Sequence, residues 1–188
     1  MAQAATLTEQ QLQRVLAAAD KTRFAMRNRC ILLLTHWAGM RIGEVAALRW
    51  ADVVDAQGCA RAELRLSAAQ TKGNRARVVL INQRLQAELA RYAAFTHSRA
   101  AHLPFFATQR SSGFTANTLT HIVNALYQRA GIDGGSSHSG RRSFITNLAE
   151  RGISVRVLQH LAAHANIATT QRYIDIKPSM LRSAVELV

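Results

Sequence analysis

Acidic side chains are the scarcest charge in this chain of 188 residues: Asp and Glu number 11 against 24 Lys and Arg, a formal net charge of +13. That balance is silent about fold but favours a polyanionic partner, nucleic acid before membrane. Cysteine is scarce too. Cys30 and Cys59 stand far apart with no C-x-x-C spacing, which excludes a disulfide framework and a zinc ribbon. Cys30, inside the apolar run CILLLTHWAGM, is expected as a small buried hydrophobe. No apolar run reaches membrane-spanning length, and no signal-type apolar region follows Met1. Internal repeats, low-complexity tracts and linkers are absent as well. The expectation is a soluble protein of a reducing compartment, most simply the cytoplasm. The hydrophobic content of 48% and charged content of 19% are ordinary for a globular chain, and the length suits one domain with a real core.

The periodicities are mostly helical. Thr8 is a good N-cap for TEQQLQRVLAAAD, where Leu12, Val15, Leu16 and Ala19 recur at helical spacing. A second helix is expected over Arg23 to Ala38, with Met26, Cys30, Leu33, Leu34 and Trp37 as its apolar stripe and Gly39 closing it in a left-handed cap. GMRIGEVAALRWADV reads as a sharp turn into a short third helix, with Arg41 at its entrance and Glu44 within reach one turn on. Then the period changes. ARAELRLS and ARVVLI read as two strands around a Gly-Asn turn, a β-hairpin with Lys72 at or next to its tip. Helices follow from Asn82 or Gln83 to about Phe95, from the Thr115 cap to Gly131, from Arg141 to Arg151, from Val155 to Leu161 behind the Ser154 cap, around Ile167 to Tyr173, and from Pro178 to Leu187. Leu103 to Phe106 is expected as a short extended piece inside a loop, and Trp37, Trp50, Phe105 and Phe106 belong to the core. The fold class is α+β: one mostly helical domain with a small antiparallel sheet.

The chemistry concentrates between His138 and Tyr173. His138 and Arg141, three residues apart, can lie on one face of a helix or its entry turn and face one anion. His164 follows, and nine residues after it Tyr173 is a candidate nucleophile. Each residue has a plainer reading. Arg41 and Arg141 could be surface charges, Lys72 a solvated turn lysine, and Tyr173 a half-buried aromatic. His160 and His164, at i and i+4, could form half of a zinc site, but no Glu follows His160 and no third ligand is evident.

The joint order overrides these plainer readings. Arg in a turn-helix (GMRIGE), Lys on a hairpin (TKGNRARVV), H-x-x-R, a later His and a Tyr near the end (IATTQRYI) resemble the catalytic domain of the tyrosine recombinases, the phage-integrase family, from about Thr6 to about Lys177. The resemblance implies a site-specific recombinase in which the Tyr173 hydroxyl attacks a DNA phosphodiester, leaving a 3′-phosphotyrosyl link and a free 5′-hydroxyl. It implies that Arg41 and Arg141 clamp the phosphate, since guanidinium groups stay charged and bind phosphate oxygens bidentately. Lys72 would protonate the leaving oxygen, His138 would exchange a proton with the Tyr173 hydroxyl or orient it, His164 would hydrogen-bond the same phosphate, and Glu44 would hold His138 or Arg41. Arg75, Arg77 and Arg142 are expected to contact DNA. No metal and no cofactor is required, because side-chain cations take that place.

Departures from the family pattern are visible. Ala162-Ala163-His164 replaces a Leu-Gly-His, and Gly140-Arg141-Arg142 replaces Leu-Arg-His, so Arg142 stands where a His is common. The chain opens at the catalytic portion, like short members such as the fimbrial phase-variation recombinases, or like a trimmed piece of a longer chain. Basic charge would then carry more of the DNA grip, with a steep salt dependence. Expected partners are double-stranded DNA, further copies of the chain up to a tetramer on paired sites, and accessory DNA-bending proteins; residues 177–188 read equally as a tail that docks on a neighbouring copy or as a terminal helix packed on its own domain. Three rivals stay open: a type IB topoisomerase-like enzyme, a catalytically silent DNA-binding regulator, and a general basic nucleic-acid-binding module.

Overall fold

The computed structural model describes residues 4–97, 99–109, 113–174 and 178–186. Helix α1 (Glu9–Asp20) starts at a reciprocal cap: the Gln11 amide donates to Thr8 Oγ1 at 3.2 Å, and the Thr8 amide donates to Gln11 Oε1 at 2.9 Å. Its expected stripe, Leu12, Val15, Leu16 and Ala19, is the buried face. Helix α2 (Ala25–Trp37) starts two residues later than the sequence suggests and is not amphipathic. Residues 30–36 are buried all round, because α1, α5 (Gln83–Thr96) and α7 (Ser139–Glu150) pack against it. The left-handed cap forms as expected, with Gly39 at φ +61°.

Two glycines let α7 close on α2. A Cβ on Gly140 would overlap the Thr35 side chain, and one on Gly39 would overlap the Phe144 ring. Beyond Gly39 the expected single short helix is two, α3 (Ile42–Ala46) and α4 (Trp50–Val53), broken where Leu48 and Trp50 pair with the extended segment around Pro104. There the Phe105 amide donates to the Leu48 carbonyl at 2.8 Å and the Trp50 amide to the Leu103 carbonyl at 3.0 Å. Trp50, Phe105 and Phe106 are buried beside Tyr92 with rings about 5 Å apart. Trp37 is only half-buried, at the margin of this core under the Arg84 guanidinium.

Strands β1 (Glu63–Leu66) and β2 (Arg77–Leu80) pair antiparallel, Leu64 opposite Val79, with Leu64, Leu66 and Val79 on the core side. The hairpin expectation holds, but the connection is residues 67–76 rather than a tight turn. A 3-10 turn over Ala68–Gln70 is pinned to α3 and α4 by Gln70 Nε2, which donates to the Ala47 carbonyl and to Asp52 Oδ2. Gly73 (φ +95°) and Asn74 (φ +53°) then reverse the chain, leaving Lys72 exposed beside the tip.

Helices α6 (Ala116–Arg129), α8 (Val155–Ala162), α9 (Ile167–Gln171) and α10 (Pro178–Val185) complete the order. Thr115 and Ser154 cap α6 and α8 as expected. A second, smaller core gathers Ile145, Ala149, Leu158 and Ala162 from α7 and α8, and Tyr173 packs on its edge. The protein is thus a mostly helical domain with a two-stranded antiparallel sheet, as expected. Lys177 and the last two residues of the expected terminal helix and tail lie outside the described residues. Among the described residues, no helix is long and apolar enough to cross a membrane.

Candidate active site

Arg41 leaves the Gly39 turn just before α3, and the first turn of that helix brings Glu44 back beneath it. The Glu44 carboxylate accepts from the Arg41 amide at 2.9 Å, from Arg41 Nη1 at 3.0 Å and from Arg77 Nη2 at 2.8 Å. Its side chain is only 1% exposed, so this single negative charge is desolvated and doubly paired. Of the two partners expected for it, Glu44 holds Arg41; His138 lines a different cleft.

Arg77 approaches the same carboxylate from the hairpin and lines one cleft with Arg41 and Glu44. Its side chain is 7% exposed and paired with Glu44 from β2. Its position alternates inward on the strand, opposite Leu66, so the guanidinium points under the cleft instead of into solvent. Arg75 remains exposed at the hairpin.

Arg141 is buried in α7. Its Nη1 donates to the Gly39 carbonyl and its Nη2 to the Ala162 carbonyl, both at 2.6 Å. Burial, then the charges of Arg41 and Arg77, lower this guanidinium to about 9, while Glu44 and Tyr173 act in the opposite direction. It stays charged at neutral pH, yet it is held close to other cations with one carboxylate between them. A group of cations crowded in this way favours an anion.

An open cleft of about 510 Å³ lies over these groups, lined by Arg41, Glu44, Lys72, Arg75, Arg77 and His164 among others. His164 arrives on a left-handed turn at Ala163 (φ +48°), where the sequence has Ala in place of Gly. The ring is buried and its Nδ1 lies 2.9 Å from Thr170 Oγ1. Burial first, then Arg141, Arg41 and Arg77, lowers its pKa to about 4, so the imidazole is neutral at pH 7. In the tautomer where the Thr170 hydroxyl donates to Nδ1, the ring proton sits on Nε2 and is free to be donated to an anion. Sequence reasoning missed Thr170, a 0% exposed hydroxyl. The half-zinc reading of His160 and His164 finds no support, because His164 is engaged with Thr170 and, among the described residues, no group of three ligating side chains stands together.

Tyr173 follows α9. Its ring stacks on His164 with centroids 5.6 Å apart and planes 19° apart, and its carbonyl accepts from Thr146 Oγ1 at 2.9 Å. A second cleft of about 340 Å³ is lined by Tyr173, His138 and Arg142, together with Ala4, Thr169 and Arg172. His138 sits exposed at the N-cap of α7, whereas Arg141 turns inward toward α2 and α8. They approach the site from different sides: His138 lines the tyrosine cleft, and Arg141 lies on the buried ground between the Gly39 and Ala162 carbonyls. The site therefore has two parts, a cationic cleft and a tyrosine cleft, joined by the His164–Tyr173 stack. Arg142, expected on DNA, is half-buried; its Nε donates to Thr6 Oγ1 at 3.0 Å and its guanidinium lies 5.7 Å from the Tyr173 ring centroid.

The fold and this site define a helical domain that gathers cations around an open cleft and stacks a tyrosine on a histidine that lines it. The chain belongs to the phage integrase family, whose model matches residues 5–180. It is 32% identical over 187 residues to the tyrosine recombinase XerD of Neisseria meningitidis serogroup A, covering 96% of this chain and 61% of that protein. It is 30% identical over 185 residues to XerA of Pyrococcus horikoshii, covering 96% of this chain and 60% of that one. The chain thus spans about three fifths of these relatives. A crystal structure of a XerA recombinase superposes with a TM-score of 0.78 at 25% identity, over all of this chain and 66% of that one. The XerH site-specific recombinase bound to its palindromic difH substrate has the same fold, with a TM-score of 0.74 at 23% identity over 96% of this chain and 51% of that one.

Proposed function

We propose that this domain cuts and rejoins DNA as a site-specific tyrosine recombinase, with Tyr173 as nucleophile. The observation that carries this reading is the cationic cleft beside Tyr173: Arg41, Lys72 and His164 line it, Arg141 lies buried among the same charges, and one carboxylate serves them. A scissile phosphodiester seated there gains negative charge as it becomes pentacoordinate, and preorganised guanidinium groups stabilise that charge without reorganising. Arg41 and Arg141 bind the non-bridging oxygens, and His164 donates from Nε2.

Tyr173 Oη forms a bond to phosphorus while the bond to the 5′-oxygen breaks. The phenolic proton passes toward His138, and Lys72 protonates the departing 5′-oxygen. The 3′-phosphotyrosyl link keeps the ester's energy, so a 5′-hydroxyl of another strand attacks it in the reverse reaction and releases Tyr173. Two copies acting on each of two paired sites make the functional unit a tetramer; the exposed Leu181 and Val185 of α10 support docking of this helix on a neighbouring copy. Double-stranded DNA is the substrate, with accessory DNA-bending proteins as further partners, in a cytoplasmic compartment.

Covalent trapping tests the reading. The protein is incubated with a nicked suicide duplex, or with supercoiled plasmid, then denatured and resolved. An adduct that Tyr173→Phe abolishes is the expected result. Tight, salt-sensitive binding with no adduct would refute it in favour of a silent binder. Relaxation of plasmid without strand exchange would point to a topoisomerase instead.

A further inference from the structure

We infer that Arg142 is a positioning residue for Tyr173 and ties it to the N-terminal segment through Thr6; this rests on Tyr173 being the nucleophile. In-line attack requires the phenol oxygen to be held opposite the leaving oxygen, and a tyrosine on a short segment after α9 can swing about its side-chain bonds. Besides the small core it edges, its ring meets two polar groups among the described residues: His164 by stacking and the Arg142 guanidinium at 5.7 Å from the centroid. A cation over a ring face is attracted by the ring quadrupole, most strongly where water is partly excluded, and Arg142 is half-buried.

Arg142 is itself held from outside the catalytic helices. Its Nε donates to Thr6 Oγ1 at 3.0 Å. Residues 5–7 are fastened along the same face: the Ala5 amide donates to the Gly134 carbonyl at 3.0 Å, and the Leu7 amide donates to Ser143 Oγ at 2.8 Å. Ser143 Oγ in turn donates to the Ser139 carbonyl at 2.8 Å, inside α7. Ala4 reaches the cleft that Tyr173 and His138 line. The segment before α1 is therefore joined to the nucleophile by one hydrogen bond and one cation–ring contact. Displacing this segment moves the Arg142 head and leaves the ring held only by the His164 stack and the small core. The contact also separates Arg142 from the phosphate cluster, since Arg142 lines the tyrosine cleft and not the cationic one.

The test compares Arg142→Gln, Arg142→Lys and Thr6→Val in two measurements on the full chain. In single-turnover adduct formation at saturating suicide duplex, Arg142→Gln slows the step roughly tenfold, equal to about 1.4 kcal/mol. Arg142→Lys recovers part of that rate, and Thr6→Val slows the step a few-fold, with DNA affinity and its salt slope unchanged in all three. If Arg142→Gln instead weakens binding, lowers the salt slope by about one and leaves the saturated rate intact, Arg142 is a phosphate contact and the inference falls. The second measurement is independent of chemistry. Ring-labelled tyrosine gives signals from three residues, and Tyr173→Phe identifies the one of interest. Arg142→Gln and Thr6→Val are expected to shift the Tyr173 ring signals and leave those of Tyr92 and Tyr127 in place. Unmoved Tyr173 signals refute the contact itself. Shifted signals in a native protein that forms no adduct refute the nucleophile, and with it the positioning role.

Discussion

Replacing Glu44 with Gln keeps the shape of the side chain and removes the one negative charge under the cleft. The carboxylate is 1% exposed and accepts from two guanidinium groups and one amide. An amide can present its oxygen to only part of that set, and its own NH2 then faces guanidinium donors. Removing one partner of a buried ion pair costs about 3–5 kcal/mol because the remaining charge stays uncompensated. Arg77 is the buried partner, at 7% exposure, and takes most of that cost. Arg41 is 28% exposed, so its share is screened and the lower half of the range applies. At about 2–4 °C per kcal/mol for a domain of this size, the melting temperature falls by roughly 6–16 °C. Calorimetry at fixed ionic strength measures it. Inorganic phosphate restores more stability to Glu44→Gln than to the native chain, because an anion in the cleft substitutes for the lost charge. A melting temperature within about 2 °C of native, with no differential phosphate effect, would refute the reasoning, since the crowded cations would then not depend on Glu44.

Lys72→Ala touches only an exposed side chain, so stability stays within about 0.5 kcal/mol of native while adduct formation falls roughly 10²–10⁴-fold if Lys72 is the acid; urea unfolding and an adduct time course measure the two. Thr170→Val keeps the volume and removes the hydroxyl from His164 Nδ1; about 1–3 kcal/mol of stability is lost, and adduct formation drops because the imidazole can place its proton on the wrong nitrogen. Acid also destabilises the fold in a defined window. Burial holds His36, bonded to Tyr127 at 2.8 Å, down to about 3, and His164 is held at about 4. Both lie below the ordinary histidine value near 6.5, so the unfolded chain takes up protons that the folded one refuses. Stability is therefore full above about pH 6.5 and falls as the pH drops toward those folded values, by on the order of a few kcal/mol for His36. Urea midpoints between pH 7 and 4.5 measure the slope, and His36→Gln should flatten it.

What the sequence disclosed was whatever is decided locally. Thr8, Thr115 and Ser154 cap the helices that follow them, Gly39 takes the left-handed turn, and Lys72 stands exposed beside the hairpin reversal. What it hid depends on which way a side chain turns once distant elements pack. Nothing near Arg77 announces Glu44, 33 positions earlier, as its partner. The break between α3 and α4 is set by the segment near Pro104, and the inward turn of Arg141 is set by carbonyls at Gly39 and Ala162. Thr170 looked like one of two adjacent threonines on a short helix. Only its zero exposure and its distance to His164 distinguish it.

The two carbonyl bonds of Arg141 carry a lesson for reading other sequences. One guanidinium, carried on α7, fastens the turn after α2 to the end of α8, so it registers three chain segments. A descendant that had lost all chemistry would still draw stability from this arginine, and from Glu44 paired with Arg77 for the same reason. Their presence in a chain therefore testifies to its architecture and says little about whether it still reacts. Among the described residues, neither Lys72 nor the Tyr173 hydroxyl makes a comparable bond. Decay of activity in a lineage should show first at those two positions, while the buried arginine persists as a record of the fold.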